Sequence, residues 1–240
     1  MIPLHDDNPT RIKPIFTVGF IVTCVLVFLY QFSLGPKAGQ TFVYQYGAIP
    51  AVIFGFESLP FKVQMIPAPF SLITSMFLHG GIMHLLGNML YLWIFGNNIE
   101  DAMGHGRFVL FYLICGVIAA MSHAWTDAGS VVPMIGASGA ISGILGAYLL
   151  LYPRAQVLVL IPFGFFTRLM YVPAGFVLGF WFLLQLISGS ANVGQGGGGV
   201  AWFAHVGGFL AGMILVGLFK RRSVRLFNPP HHHARRLEPW

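Results

Sequence analysis

The side chains able to do chemistry in this chain are few, and they sit inside apolar runs. Ser138 lies in Gly136-Ala137-Ser138-Gly139-Ala140, at the head of a run that ends at Tyr152-Pro153. His205 lies in Ala204-His205-Val206-Gly207-Gly208. His84 and Asn88 share a third run, four residues apart and therefore on one helical face. One chemistry for such a set is a metal site. His79 and His84 are five apart, which does not put them on one face, and no His-Glu-x-x-His occurs. All seven acidic residues (Asp6, Asp7, Glu57, Glu100, Asp101, Asp127, Glu238) lie in termini, loops or run ends. Zinc would lack both a usual ligand spacing and a general base, and an aspartic pair is excluded by the same count, so no metal and no cofactor are expected. The other chemistry is nucleophilic: Ser138 attacks and His205 takes its proton. With no carboxylate inside a run, the two would act as a dyad. His84 and Asn88 are then free to donate to a developing oxyanion, together with the Ser138 N–H at a helix start. The bland reading is an N-cap or an interhelical packing serine, with the polar groups satisfying one another.

The elements that must position these residues follow from composition. Of 240 residues, 56% are apolar and 8% charged, and the mean hydropathy is +0.76. Soluble domains carry about 25% charged residues, so this is a polytopic membrane protein. The net charge of +6 is then a loop bias rather than a nucleic-acid signal. Cys24 and Cys115 lie in apolar runs and imply neither a disulfide framework nor a metal site. Met1 to Asp7 has no signal-peptide pattern, so the first run is expected to be a retained span. Six helical spans are expected, at 16–34, 83–99, 108–125, 137–152, 171–188 and 201–219. Residues 35–82, rich in Pro and Gly, read as a long, partly helical interfacial loop. Residues 156–166 are apolar but too short to span and belong at the inner interface. Residues 188–200 form a glycine-rich connection expected to be mobile. Eleven of the 13 Lys and Arg residues fall on one side of this topology, and only Lys37 and Lys62 on the other. Both termini are therefore expected in the cytoplasm.

Depth brings the candidates together. Ser138 precedes Arg154 by 16 residues, His205 precedes Lys220 by 15 and His84 precedes Glu100 by 16. At 1.5 Å per residue each sits roughly 22–24 Å above the inner charged boundary. In a hydrocarbon core of about 30 Å this is on the order of 6–8 Å below the outer surface, with Asn88 about one turn deeper.

Gly136-Ala137-Ser138-Gly139, His84-Leu85-Leu86-Gly87-Asn88 and Ala204-His205-Val206-Gly207-Gly208 together resemble a rhomboid-family intramembrane serine protease. Thr74 to Gly81 (TSMFLHGG) and Glu100-Asp101 through Gly104-His105-Gly106-Arg107-Phe108 fit the same pattern, so the likeness covers roughly residues 70–220. The resemblance implies Ser138 as nucleophile and His205 as base, with His84, Asn88 and the Ser138 backbone around the oxyanion. It implies six spans, a water-filled cavity opening outward, and a substrate that is another protein's transmembrane segment. Gly208 and Gly212 form a small-x-x-x-small pair that would bring His205 close to Ser138, and with Gly136 they count as structural support. Two departures stand out. The long loop reads Leu59-Pro60-Phe61-Lys62 where a Trp-Arg pair is common. Four residues past the nucleophile stands Ser142, where an aromatic ring often stacks on the histidine. The orientation of His205 must then come from elsewhere, with Trp202 as a candidate.

The expected architecture is an all-α, six-helix rhomboid-like bundle. Its parts are a cytoplasmic tail at 1–15, a catalytic unit at 16–220 and a basic cytoplasmic tail at 221–240. The expected function is cleavage of transmembrane segments near the outer face, favouring small or helix-breaking residues, in a bacterial plasma membrane. The expected partners are membrane-protein substrates and the lipid bilayer, with no nucleic acid; the oligomeric state is left open. The fifth span is expected to serve as a lateral gate. The alternatives are an inactive rhomboid-like protein that binds membrane clients, and a channel or transporter using the polar layer as a binding site. His79 is placed outside the pocket layer, His105 at the surface and His123 at the interface; His231 to His233 bear on no function.

Overall fold

The computed structural model describes residues 1–163, 166–191 and 201–228. Most of the 188–200 connection and the His231 to His233 run lie outside the described residues. The chain is mostly helical. After strand β1 (Ile2–Asp6) come α1 (Ile15–Ser33), α2 (Gly35–Tyr46), α3 (Pro50–Ile53), α4 (Ala68–Thr74) and a 3-10 turn (Ser75–Phe77). Then follow α5 (Ile82–Met103), α6 (His105–Thr126), α7 (Ser138–Leu151), β2 (Gln156–Phe163), β3 (Phe166–Pro173), α8 (Ala174–Ala191) and α9 (Trp202–Phe219).

The protein is polytopic. Among the described residues α1, α6, α8 and α9 are each long and apolar enough to cross a membrane. The α4 segment with its 3-10 turn and α5 form a pair, bent by 83°, that meets the same test together. α7 is apolar but has 14 residues, about 21 Å of helix. It lies in the middle of the bundle, with Gly139 through Tyr148 buried without interruption. A helix sheathed by neighbours has no lipid thickness to match.

The closest packing is of α7 on α9 and of α9 on α6. Small residues make it so. A Cβ placed on Gly208 would overlap the Gly139 carbonyl, one on Gly212 the Gly143 carbonyl, and one on Gly146 the Phe209 carbonyl. Backbone meets backbone, as close membrane helix pairs require. Tyr148, Phe95, Phe108, Phe111 and Tyr112 fill the core below this contact.

The all-α expectation needs one correction. The strands form an antiparallel sheet in the order β1-β2-β3. β2 and β3 pair from Gln156↔Pro173 to Phe163↔Phe166, and β1 pairs with β2 from Ile2↔Leu160 to Asp6↔Val157. An unbroken apolar run hides the two-residue period of a strand. Only the structure shows Val157 and Val159 buried while β3 turns Leu169, Met170 and Tyr171 outward. Residues 1–15 are tied to the bundle. Asp6 accepts from the Tyr148 hydroxyl at 2.6 Å, Asp7 from the Gln156 N–H at 2.8 Å, and the Asn8 carbonyl from Asn98 at 2.8 Å.

Glu100 organises the same end of the bundle. It is fully buried and accepts from Phe16 N–H (3.0 Å), Thr17 N–H (2.8 Å) and the Thr17 hydroxyl (2.7 Å). A carboxylate at the start of α1 meets the helix dipole and the free N–H groups there. His105 Nδ1 lies 2.6 Å from the same carboxylate, so His105 is more than a surface residue: it ties the α5–α6 turn to α1.

Candidate active site

Ser138 is the first residue of α7, and Ala137 is its N-cap in helical conformation with no side-chain cap bond. The serine is therefore not a cap. The approach to it is set by Gly136, whose φ is +125°, a region that a side chain disfavours. A Cβ there would also stand 2.9 Å from His84 Nε2 and 3.7 Å from Ser138 Oγ. Gly136 N–H donates to the Ser75 carbonyl at 2.9 Å, and Ala48 and Met134 exchange hydrogen bonds of 3.0 and 2.8 Å. The long 35–82 segment thus braces the stretch of chain that leads into the serine.

His205, on α9, is 9% exposed. Its Nε2 lies 2.8 Å from Ser138 Oγ, so the glycine contact between α7 and α9 does bring the two residues into hydrogen-bond reach. Its Nδ1 lies 2.7 Å from Gln185 Oε1, on α8. Trp181 and Trp202 flank the ring at centroid distances of 5.8 and 6.2 Å. Ser142, one turn past Ser138, turns its hydroxyl back to the Ser138 carbonyl at 2.6 Å and plays no part in holding the imidazole.

The other two predicted residues stand differently. His84 is exposed, and its Nδ1 accepts from Gly80 N–H at 3.3 Å, which leaves Nε2 on the side facing Gly136 and Ser138. Asn88 is buried and donates an amide hydrogen to the His84 carbonyl at 2.9 Å. His79, expected outside this layer, is fully buried and meets the His84 ring edge-on at 5.2 Å. Neither of its ring nitrogens has a hydrogen-bond partner among the described residues.

Gln185 escaped the sequence reading. Its signal was there: a primary amide in an apolar span is costly and needs a partner. A small cavity of about 30 Å³ opens beside the serine, lined by Ser75, Gly116, Ala119, Gly136, Ser138 and Ala204 among others. Within the described residues no group of three or more His, Cys, Asp or Glu is placed to hold a metal.

The fold and site define a class: a polytopic helical membrane protein with a serine and a histidine paired inside the bundle. The chain belongs to the rhomboid family; residues 68–222 match the Rhomboid domain. It is 27% identical to "Rhomboid protein 1, mitochondrial" of Saccharomyces cerevisiae over 80% of this chain and 56% of that protein. It is 32% identical to "Rhomboid protease GluP" of Bacillus subtilis over 88% of this chain and 37% of that protein. A shorter match of 40% identity joins 32% of this chain to 39% of "Putative rhomboid protease YdcA" of the same organism. The alignments thus take in between about a third and just over half of these relatives' lengths.

Proposed function

We propose that the protein is an intramembrane serine endopeptidase that cleaves transmembrane segments of other membrane proteins near the outer face. The observation that carries this reading is the 2.8 Å approach of Ser138 Oγ to His205 Nε2 inside a helical bundle. A nucleophile and a base within hydrogen-bond reach, the base held by a third group, is the signature of covalent hydrolysis. Ser138 Oγ attacks the scissile carbonyl carbon while its proton passes to His205 Nε2. The oxyanion forms beside the Ser138 N–H, one of the helix-start donors with no partner in its own helix. His84 Nε2 and the second Asn88 amide hydrogen supply further donors. Collapse breaks the C–N bond, and the leaving amine takes the proton from His205. Water then attacks the acyl-enzyme through the same base and frees Ser138.

The substrate carbonyl must first leave its helical hydrogen bond, so small or helix-breaking residues suit the site. The cavity of about 30 Å³ beside Ser138 is large enough to admit water. The reading also takes the six spans as a single bundle with both termini cytoplasmic, α7 being the short span and residues 16–220 the catalytic unit. Tags fused to either end report the topology, and a tag found outside would overturn that part alone.

The decisive experiment is cleavage of transmembrane reporters in liposomes by wild type, Ser138→Ala and His205→Ala. Each substitution is expected to lower turnover by about 10⁴-fold or more with folding intact. Reporters with a small residue before the scissile bond should be cut faster than those with a bulky one. Cleavage that survives Ser138→Ala would sink the assignment; an inert wild type would favour the client-binding alternative.

A further inference from the structure

The inference rests on the hydrolytic reading and concerns the third group at the same site. Gln185 is buried, and its amide is fixed at both ends. Gln185 Nε2 donates to the Trp181 carbonyl at 3.2 Å. A carbonyl can only accept, so the amide nitrogen must face Trp181 and Oε1 must face His205. Oε1 in turn can only accept, so the proton of a neutral His205 must be on Nδ1, 2.7 Å away. That leaves Nε2 bare, 2.8 Å from the Ser138 hydroxyl, which donates to it. A chain of neutral hydrogen bonds from Trp181 through Gln185 and His205 to Ser138 has one consistent direction.

An amide is the third group that the surroundings allow. No Asp or Glu occurs in α6, α7, α8 or α9, and an unpaired carboxylate at this depth would be costly. His84 on α5 and His123 on α6 carry no negative charge in either protonation state, so neither offers a counter-ion. Gln185 therefore fixes the tautomer without supplying charge.

We propose that Gln185 is the positioning residue for proton transfer, and that, because α8 carries it, the site is competent only while α8 is seated on α9. The seating is a ladder of antiparallel pairs. Gly189 lies against Trp202, where an added Cβ would stand 3.2 Å from the tryptophan Cβ. One turn on, Gln185 meets His205. One turn further, Phe182 stacks on Phe209 at 4.4 Å, with Trp181 at 6.1 Å. Any outward swing of α8 that admits a substrate must hinge so as to keep this rung, or must reverse before acylation.

The test compares Gln185→Leu and Gln185→Glu with wild type in liposomes, together with ¹⁵N NMR of His205 in the wild-type protein. Gln185→Leu removes the acceptor at similar volume. It is expected to lower kcat by about 10²-fold and to leave KM within about twofold. Gln185→Glu restores an acceptor and adds charge. It is expected to recover much of the kcat and to move the acid limb of the pH profile upward by about one unit or more, because a carboxylate favours the imidazolium. The wild-type spectrum should show the proton on Nδ1, a reading that requires no variant to fold and no substrate to be cut. Wild-type kcat in Gln185→Leu or a proton on Nε2 would each overturn the proposal. Loss of cleavage in Ser138→Ala alongside such a result would leave the hydrolytic reading standing. Survival of cleavage in Ser138→Ala would remove that reading, while the NMR would still decide the Gln185–His205 contact.

Discussion

The two ends of α7 are held by opposite means. At its first turn the serine is joined to His205 and Gln185 by neutral hydrogen bonds, and the helices approach through glycine. At its last turns Tyr148 donates to the Asp6 carboxyl, and near by Glu100 gathers two backbone N–H groups, a hydroxyl and His105. Carboxylates hold one end of α7, and amides, hydroxyls and imidazole hold the other. The difference teaches where stability and reactivity are stored. The charged end anchors α1, β1 and the α5–α6 turn. The neutral end must bring a hydroxyl and an imidazole together without a buried ion to hold them, so it relies on close backbone contact.

The largest break in this comparison should come from that contact. Gly212→Val places a Cβ inside the Gly143 carbonyl, and since backbone cannot move aside as a side chain can, α7 and α9 must part. A loss of at least about 3 kcal/mol is expected, with cleavage falling as far as in Ser138→Ala. Gly217 on the same helix has open space around it, so Gly217→Ala should be neutral or slightly stabilising. Thermal unfolding in detergent, read beside reporter cleavage, separates the two positions; equal effects at both would refute the account.

Next in size is the charged end. Glu100→Ala leaves the Phe16 and Thr17 donors without their acceptor and should cost about 3–5 kcal/mol. The expected pattern is the reverse of that at Gly212: a large drop in the unfolding midpoint, with kcat of the folded fraction close to wild type. A kcat lost in proportion to stability would mean that the two ends are not independent.

The smallest effect sharpens the comparison through pH. Burial raises the Asp6 carboxyl from 3.8 to about 6, against the opposing Tyr148 hydrogen bond. The folded state therefore holds the Asp6 proton more tightly than the unfolded chain. Its contribution to stability is fully present below about 3.8 and is lost as pH rises through about 6, by at most about 3 kcal/mol. Asp6→Asn keeps an acceptor for Tyr148 and removes the titration. The wild-type-minus-variant difference in midpoint should slope across that window and be flat above it. A flat difference throughout would show that Asp6 is solvated in the folded protein.

Much of this was legible in the residues. The apolar runs located the helices to within a few residues, because a membrane allows backbone to cross only where it satisfies itself. Polar side chains in those runs stood out because lipid makes them costly, and counting residues from the charged boundary put Ser138, His205, His84 and Asn88 in one layer. Gly208 and Gly212 announced a close helix contact by their spacing alone. The sheet was not legible: Gln156 to Phe163 carries no alternation, and β1 is a strand only because β2 lies beside it. His79 stood apart in that count because it precedes α5, and only the turn between them folds its ring onto His84.

The sequence by itself thus determined where the long helices run and which polar side chains they carry, since both follow from local composition and helical period. Only the tertiary structure decided who holds whom. Asp6 and Tyr148 are 142 residues apart, and Gln185 and His205 are carried by different helices. Nothing in local spacing selects such pairs. They are fixed by how closely the glycine faces let α9 approach α7, and by which amide on α8 then comes level with the imidazole.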